Sequence, residues 1–215
     1  MCFSAQASII AAVSLAIIGA ACMQKAKTAS AYLLAAIPLL FAVQQLAEAF
    51  VWLSQGRDWP HVQHIATYIF LFFALFVWPM WIPITLRAIE PTIPRKQQLT
   101  ILSMLGMLVG TYLYQMAVLY GVSAQALDCH IYYALPYTWP EQVIGSVLYL
   151  LCTVVPFFVS SLPIMWGMGL MVASAYVVSY FFYYTYLTSV WCFFAAIISG
   201  FVYVVLLRLE KKKSL

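Results

Sequence analysis

Seven long apolar runs divide the chain, and each approaches the length of a membrane-crossing helix. A helix needs about 20 mostly apolar residues to cross the hydrocarbon core of a bilayer. We therefore predict an all-α integral membrane protein, in which residues 1–215 form one transmembrane domain, a bundle of seven helices. The predicted spans are residues 5–22, 31–54, 64–87, 99–121, 143–160, 163–182 and 187–208.

Prolines mark two places where these spans should depart from regular helices. Pro79 and Pro83 lie in the third run, and because proline removes a backbone hydrogen bond, we expect that span to bend there. The fifth and sixth runs meet at Ser160-Ser161-Leu162-Pro163, which leaves almost no loop. This junction fits either two short spans or a re-entrant hairpin.

Composition supports a lipid bilayer as the surroundings of the chain. Hydrophobic residues make up 66% of the sequence and charged residues only 7%, whereas a soluble domain has about 25% charged residues. No nucleotide-binding motif such as GxxxxGK[ST] or GxGxxG occurs, and we expect no nucleic-acid partner.

The basic residues predict an orientation. Nine of the ten Lys and Arg lie in the first connection, the third connection and the carboxyl-terminal tail, and Arg57 is the tenth. With seven spans, these three regions share one side, which the positive-inside rule makes cytoplasmic. The amino terminus is then outside and the carboxyl terminus cytoplasmic. The nine residues are Lys25, Lys27, Arg87, Arg95, Lys96, Arg208, Lys211, Lys212 and Lys213.

The second span carries the strongest candidate for chemistry. Gln44, Gln45, Glu48 and Trp52 lie three or four positions apart and so share one helix face. An ionisable residue inside a membrane is costly and usually faces a protein interior or a wet cavity. Glu48 could handle a proton or cation, or ligate a metal, with the two glutamines orienting it. The alternative is a protonated carboxyl that only fixes helix packing.

Cysteine and histidine add metal-ligand candidates on the predicted outer side. Removal of Met1 would leave Cys2 with an amine beside its thiolate, a pair that can chelate copper or zinc. His130, with weaker candidates His61 and His64, could complete a site for a divalent or copper ion with Glu48. Against this, Cys2 could be a buried apolar residue, loop histidines are usually solvated, and no HExxH or paired CxxC occurs.

Three further residues are weaker candidates. Cys129 could form a disulfide with Cys192 or Cys2, since the outer side of a bacterial inner membrane is oxidising. Ser189 could line a polar path, although serine in spanning helices commonly serves packing. The aromatic residues around Tyr132 and Tyr137 are typical of an interfacial belt.

Four motifs together are characteristic of one family. They are the start MCFSAQAS, Ile37 to Phe41 with Gln44, Gln45, Glu48 and Trp52, the segment Trp78-Pro79-x-Trp81-x-Pro83, and Ser189-Val190-Trp191-Cys192-Phe193-Phe194-Ala195-Ala196. In these motifs, and over nearly its whole length, the sequence resembles an uncharacterised family of small bacterial multi-pass membrane proteins, a domain of unknown function whose members begin MCFSAxAS. The resemblance implies a bacterial inner (cytoplasmic) membrane protein and no particular activity.

Three functions follow from these observations. The first is a metal-handling, metal-sensing or metal-dependent hydrolytic protein with its site around Glu48, His130 and Cys2, in the outer leaflet. The second is a small proton- or cation-coupled transporter that uses Glu48. The third is a non-enzymatic accessory subunit of a membrane complex, and a homo-oligomer is also compatible with the sequence.

Overall fold

Seven helices of the structure are long and apolar enough to cross a membrane, which confirms the predicted number of spans. The computed structural model describes the backbone of residues 4–213 and the side chains of residues 4–209. The helices are α1 (Ala5–Lys25), α2 (Ala29–Ser54), α3 (Pro60–Leu71) continued by α4 (Trp78–Ile89), α5 (Ile93–Tyr120), α6 (Trp139–Thr153) continued by α7 (Val155–Val159), α8 (Pro163–Phe182), and α9 (Leu187–Ser199) continued by α10 (Val202–Lys213).

The centre of the bundle is formed by α2 and by the α3–α4 span. In each of them 67% of the apolar window is buried, against 28% for α1 and 22% for α8. Polar side chains on α2 are therefore enclosed by protein, and the outer helices carry most of the surface suited to lipid.

The third span is interrupted by a π-helix, Phe72–Val77, that joins α3 to α4. In it the Trp78 N–H bonds the Phe73 carbonyl, five residues back. The carbonyl of Ala74 would then need the N–H of Pro79, which proline lacks. The Tyr149 hydroxyl on α6 takes its place and donates to Ala74 O at 2.5 Å. The irregularity thus begins seven residues before Pro79. The Ala74 carbonyl, which Pro79 cannot bond, accepts a hydrogen bond from a neighbouring helix instead.

The segment between α5 and α6 forms a β-hairpin, which corrects the all-α prediction. Strands β1 (Ser123–Leu127) and β2 (His130–Ala134) pair antiparallel, with Leu127 opposite His130. The two turn residues, Asp128 and Cys129, have φ of 46° and 61°. Positive φ at both positions is what a type I′ two-residue turn requires. We call the end of the bundle that carries this hairpin the hairpin end.

Contacts between connections show which of them lie together. At the hairpin end, Gln63 Nε2 donates to Ala124 O at 2.7 Å, and the Tyr186 hydroxyl donates to Asp128 Oδ2 at 3.1 Å. The second, fourth and sixth connections are therefore neighbours, as an up-and-down bundle requires. Which end faces the cytoplasm stays a prediction.

The opposite end is closed by Glu90, which caps α4. Its carboxylate accepts from Ser160 Oγ at 2.9 Å, Ser161 N at 2.8 Å, Ser161 Oγ at 2.5 Å and Thr92 Oγ1 at 2.6 Å. Burial acts to raise the pKa of Glu90, but the hydrogen bonds from Ser161, Thr92 and Ser160 outweigh it and lower the pKa to about 2. We call this end the Glu90 end. The Glu90 carboxylate thus links the third connection to the turn between α7 and α8. At this turn two helices long enough to cross a membrane meet, Trp139–Val159 and Pro163–Phe182.

Candidate functional site

Gln44, Gln45 and Glu48 form a buried polar group on the inner face of α2. Glu48 is 2% exposed and both glutamines are fully buried. Gln44 is held by α4, because Trp78 Nε1 donates to Gln44 Oε1 at 2.7 Å. The Trp78 ring also stacks on Phe41, with centroids 3.8 Å apart. Helical spacing puts Phe41 on the same face of α2 as Gln44, Gln45 and Glu48. Trp78 of α4 therefore contacts both an apolar residue and a polar residue of this face.

Glu48 accepts a hydrogen bond from a side chain on α9. Ser189 Oγ donates to Glu48 Oε1 at 2.5 Å, and the Gln45 side chain lies beside the carboxyl. Ser189 stands near the beginning of α9, so its hydroxyl reaches Glu48 from a segment 141 positions away. The polar groups that act on Glu48 are thus neutral ones, a hydroxyl and an amide.

Tyr133 and Cys192 lie close to Glu48 on the side facing the hairpin. Tyr133 is on β2, is 6% exposed and stacks on Phe70 with centroids 4.8 Å apart. Burial raises the pKa of Tyr133 well above its usual value, and the nearby charge of Glu48 adds to the effect. Cys192 lies one turn after Ser189 on α9 and is 5% exposed. A buried tyrosine of the hairpin therefore lies near the carboxyl group.

Several buried polar atoms around this group lack a well-formed hydrogen bond within residues 4–209. They are Gln44 Nε2, Gln45 Nε2, Gln45 Oε1, Trp52 Nε1 and Tyr133 Oη. A buried donor left unsatisfied costs about 1–3 kcal/mol. Such groups are retained where they serve a ligand, water or a reaction, and most of these are donors.

A cavity of about 420 Å³ opens beside the buried group. It lies between β2, α5, α6 and the α8–α9 turn, and Tyr133 and Cys192 are part of its wall. Glu48 thus has two neighbours, Tyr133 and Cys192, that belong to the cavity wall. The polar and aromatic residues of the wall are Tyr132, Tyr133, Tyr137, Glu141, Gln142, Ser146, Tyr149, Tyr176, Tyr184, Thr185, Thr188, Trp191 and Cys192. We call this space the aromatic cavity.

A second, smaller cavity of about 50 Å³ adjoins the first. Tyr149, Trp191 and Cys192 belong to the walls of both. These three side chains therefore lie between the aromatic cavity, whose wall is partly polar, and a smaller cavity whose wall is almost wholly apolar.

The family model of DUF6629, a family of unknown function, matches residues 1–214. The chain belongs to DUF6629. No curated protein and no solved structure is similar to it in the corresponding comparisons. Membership agrees with the resemblance to a domain of unknown function, and it brings no activity with it.

In this DUF6629 protein, Gln44, Gln45, Glu48, Ser189 and Cys192 are brought together, whereas His130 belongs to a different group. His130 Nδ1 lies 2.7 Å from Asp128 O, and its ring stacks on Tyr186 with centroids 4.8 Å apart. His130 is therefore part of the hairpin tip, and its contacts there fix the turn against the α8–α9 connection.

The remaining predicted residues lie at the hairpin end or outside the described chain. His61 and His64 are exposed at the beginning of α3, and the His64 ring lies 4.6 Å from Tyr68. Cys129 is in a disulfide, whereas Cys192 is a free thiol, so a Cys129–Cys192 bridge is excluded. Cys2 lies outside the described residues, and its pairing with Cys129 stays a prediction.

A metal centre gains no support from the described part of this DUF6629 protein. Within it, no three His, Cys, Asp or Glu side chains converge as metal ligands. The polar group around Glu48 instead combines one carboxyl with amides, hydroxyls and an indole, which are hydrogen-bonding partners.

Sequence reasoning did not find the aromatic cavity or the Glu90 closure. The sequence predicts an interfacial belt for the aromatic residues around Tyr132 and Tyr137. Tyr133 is instead buried, and the Tyr137 hydroxyl donates to Leu113 O at 2.7 Å. The high tyrosine count was the available signal, but only packing shows which tyrosines converge. Glu90 gave no signal because two of its partners, Ser160 and Ser161, are 70 and 71 positions away.

Proposed function

We propose that this protein is a small proton- or cation-coupled membrane carrier in the bacterial inner membrane, and that Glu48 is its proton-exchanging group. The observation that carries the proposal is the position of Glu48, which is buried on the central helix near Tyr133, a residue of the aromatic cavity wall. An intramembrane carboxyl next to a cavity is typical of proton pathways and transport sites.

The contrast with Glu90 supports this role. Glu90 is equally buried, but both of its oxygens accept two or more hydrogen bonds, from Ser160, Ser161 and Thr92. Such a carboxylate is fixed in its charged form and serves to join connections. Glu48 receives one strong hydrogen bond, from Ser189, and retains capacity to bind or release a proton.

The surrounding donors support it as well. An uncompensated charge in a low-dielectric interior is unfavourable. The protonation of Glu48 should therefore respond to whatever charge occupies the aromatic cavity, because Tyr133 is both a neighbour of Glu48 and part of the cavity wall. This gives a physical route for coupling, because a cation in the cavity favours a deprotonated Glu48.

Infrared difference spectroscopy of the purified protein in lipid nanodiscs tests the proposal. Between acidic and alkaline buffer, wild type should lose a protonated-carboxyl band that shifts in heavy water and is missing from Glu48→Gln. The exposed Asp58→Asn variant is the matched control and should keep the band. Identical difference spectra of wild type and Glu48→Gln would overturn the role of Glu48.

Proton movement into liposomes then tests the carrier function. An imposed membrane potential should acidify vesicles holding wild type or Asp58→Asn, as reported by an enclosed pH dye. Glu48→Gln vesicles should behave like protein-free ones. Wild type indistinguishable from protein-free vesicles, with or without the ligand class described below, would contradict a carrier.

Two other hypotheses are distinguished by simple measurements on the same preparation. Stoichiometric zinc or copper that is lost in Glu48→Ala would favour the metal-handling hypothesis over the carrier. Stoichiometric co-purification of another membrane protein would favour an accessory subunit.

A further inference from the structure

Aromatic side chains make up a large part of the cavity wall. Trp191, Tyr176 and Tyr149 belong to it, and the Trp191 ring lies 5.0 Å from Tyr176 at an interplanar angle of 79° and 5.5 Å from Tyr149 at 70°. Tyr132 and Tyr184 add further aromatic surface to the same wall. The rings of Trp191 and its two neighbours thus stand at steep angles to one another.

The charge of the cavity wall is of one sign. Glu141 contributes a carboxylate, and the described residues of the wall include no Lys, Arg or His. Glu141 also forms the capping box of α6, where its Oε2 accepts from Thr138 N at 2.8 Å and Thr138 Oγ1 at 2.9 Å. Its Oε1 has one long contact, 3.5 Å from the Tyr112 hydroxyl. One carboxylate oxygen is thus left with most of its capacity to accept.

We propose that the aromatic cavity binds an organic cation, a substituted ammonium group. The inference deepens the proposed carrier function by naming its substrate class. Aromatic faces attract a cation that lies within about 6 Å, and boxes of aromatic rings are the usual receptors for quaternary ammonium. The volume of about 420 Å³ is within the range of small-molecule sites, about 300–1,000 Å³.

The polar groups of the wall are suited to an oxygen atom on the same ligand. Gln142, Ser146, Thr185 and Thr188 are part of the wall, and their amide and hydroxyl groups can donate hydrogen bonds. A hydroxyl or anionic oxygen attached to the ammonium could accept from them. Choline and the headgroups of zwitterionic phospholipids share this combination.

Titration of choline against its neutral isostere 3,3-dimethylbutan-1-ol is the decisive experiment. The protein is held in nanodiscs of phosphatidylglycerol, which has no ammonium group, and binding is followed by calorimetry. Choline should bind at least about tenfold more tightly than the alcohol, because the two differ only in charge. Equal affinities, or no binding of either, would overturn the proposal.

Variants of the cavity wall test whether choline binds in this cavity. Trp191→Leu should weaken choline binding by at least about tenfold, whereas Trp166→Leu should leave it unchanged. Trp166 is the matched control because it lies at the Glu90 end and donates to Ser160 O at 3.2 Å. Glu141→Gln removes the charge and keeps a residue that can complete a capping box, and it should weaken choline severalfold. If Trp191→Leu does not fold, Glu141→Gln and Tyr176→Leu decide, and unchanged affinity in both contradicts the cavity as the site.

A second titration decides whether the ammonium group belongs to a lipid or to a free small molecule. Soluble short-chain phosphatidylcholine replaces choline in it. If the phospholipid binds more tightly than choline and competes with it, the ligand is a lipid headgroup; if it binds more weakly, the ligand is a free ammonium compound.

Choline binding and the infrared band of Glu48 test the two proposals separately. If wild type binds choline but shows no titrating carboxyl band, the ligand class is supported and the proton-exchanging role of Glu48 is overturned. If Glu48 titrates but choline does not bind, the role of Glu48 is supported and the ligand class is overturned.

Discussion

The hydroxyl of Tyr149 donates to the backbone carbonyl of Ala74 at 2.5 Å, across the interface between α6 and the π-helix. Tyr149 and Ala74 also belong to the wall of the aromatic cavity. The cavity thus lies where a helix departs from α geometry, which is a frequent location of functional sites. The π-helix is maintained by a side chain that also shapes the cavity.

Tyr149→Phe should destabilise the protein by about 1–3 kcal/mol, because it leaves the buried Ala74 carbonyl without a donor. Tyr120→Phe is the control, since Tyr120 is 70% exposed and should tolerate the loss of its hydroxyl. Thermal unfolding in one detergent measures both. A Tyr149→Phe unfolding temperature equal to that of wild type would show that the hydrogen bond does not support the π-helix.

Gly106 lets α5 lie directly on the prolines of α4. Pro83 has no N–H for the carbonyl of Pro79 four residues earlier, and a Cβ at residue 106 would overlap that carbonyl oxygen. Gly106→Ala should therefore force α5 away and cost about 1–3 kcal/mol through overpacking. The unfolding temperature and the yield of monodisperse protein should both fall.

Gly167→Ala is the matched control for this substitution. A Cβ at residue 167 would meet no atom of the described residues within 4 Å, and alanine is the better helix former. Its stability should equal or exceed that of wild type. If the two variants lose stability equally, close packing at Gly106 is not the cause.

Glu90 should make the protein sensitive to acid. Its folded-state pKa of about 2 lies below the ordinary value of 4.5, so the folded carboxyl holds its proton less tightly than the unfolded one. The resulting stability is fully present above pH 4.5 and is lost as the pH falls from 4.5 towards 2. Glu90→Gln should be less stable at neutral pH and change less on acidification.

Unfolding temperatures measured from neutral pH down to about pH 3 test this. The exposed Asp58→Asn variant should follow wild type over the whole range. Parallel curves for wild type and Glu90→Gln would mean that other carboxyl groups cause the acid sensitivity.

Run length and helical spacing were enough to predict the seven helices and the shared face of Gln44, Gln45 and Glu48. Both depend on residues close together in sequence. The hairpin lacked such a signal, since its turn is Asp128-Cys129 and the usual type I′ sequence is Asn-Gly. Its strands are fixed by partners elsewhere, including Gln63, which bonds β1 from α3.

The rest of the site depends on contacts between distant segments. Ser189 is 141 positions from Glu48, and Tyr149 is 75 positions from Ala74. The π-helix could have been suspected from Pro79, but the donor that satisfies Ala74 could not. In a sequence this rich in tyrosine, periodicity does not separate tyrosines that face lipid from those that line a cavity.

Cys129 should be the cysteine that links the hairpin covalently. It is in a disulfide, and Cys22, Cys152 and Cys192 are free, which leaves Cys2 of the five cysteines in the sequence. Alkylation of the unreduced, denatured protein, followed by digestion and mass spectrometry, should label three cysteines and yield a peptide that joins Cys2 to Cys129. A linked peptide that contains Cys192, or five labelled cysteines, would contradict the pairing.

Reduction should then lower the stability of wild type. Removing a native disulfide typically costs about 2–5 kcal/mol, so a reductant should depress the unfolding temperature of wild type and leave that of Cys129→Ser unchanged. Cys152→Ser is the control, because Cys152 is a free buried thiol and the variant should keep its response to reductant. Because such bonds persist in oxidising compartments, the bridge in protein isolated with its thiols blocked would also place the hairpin end on the non-cytoplasmic side. A free Cys129 thiol in that material would argue against this orientation.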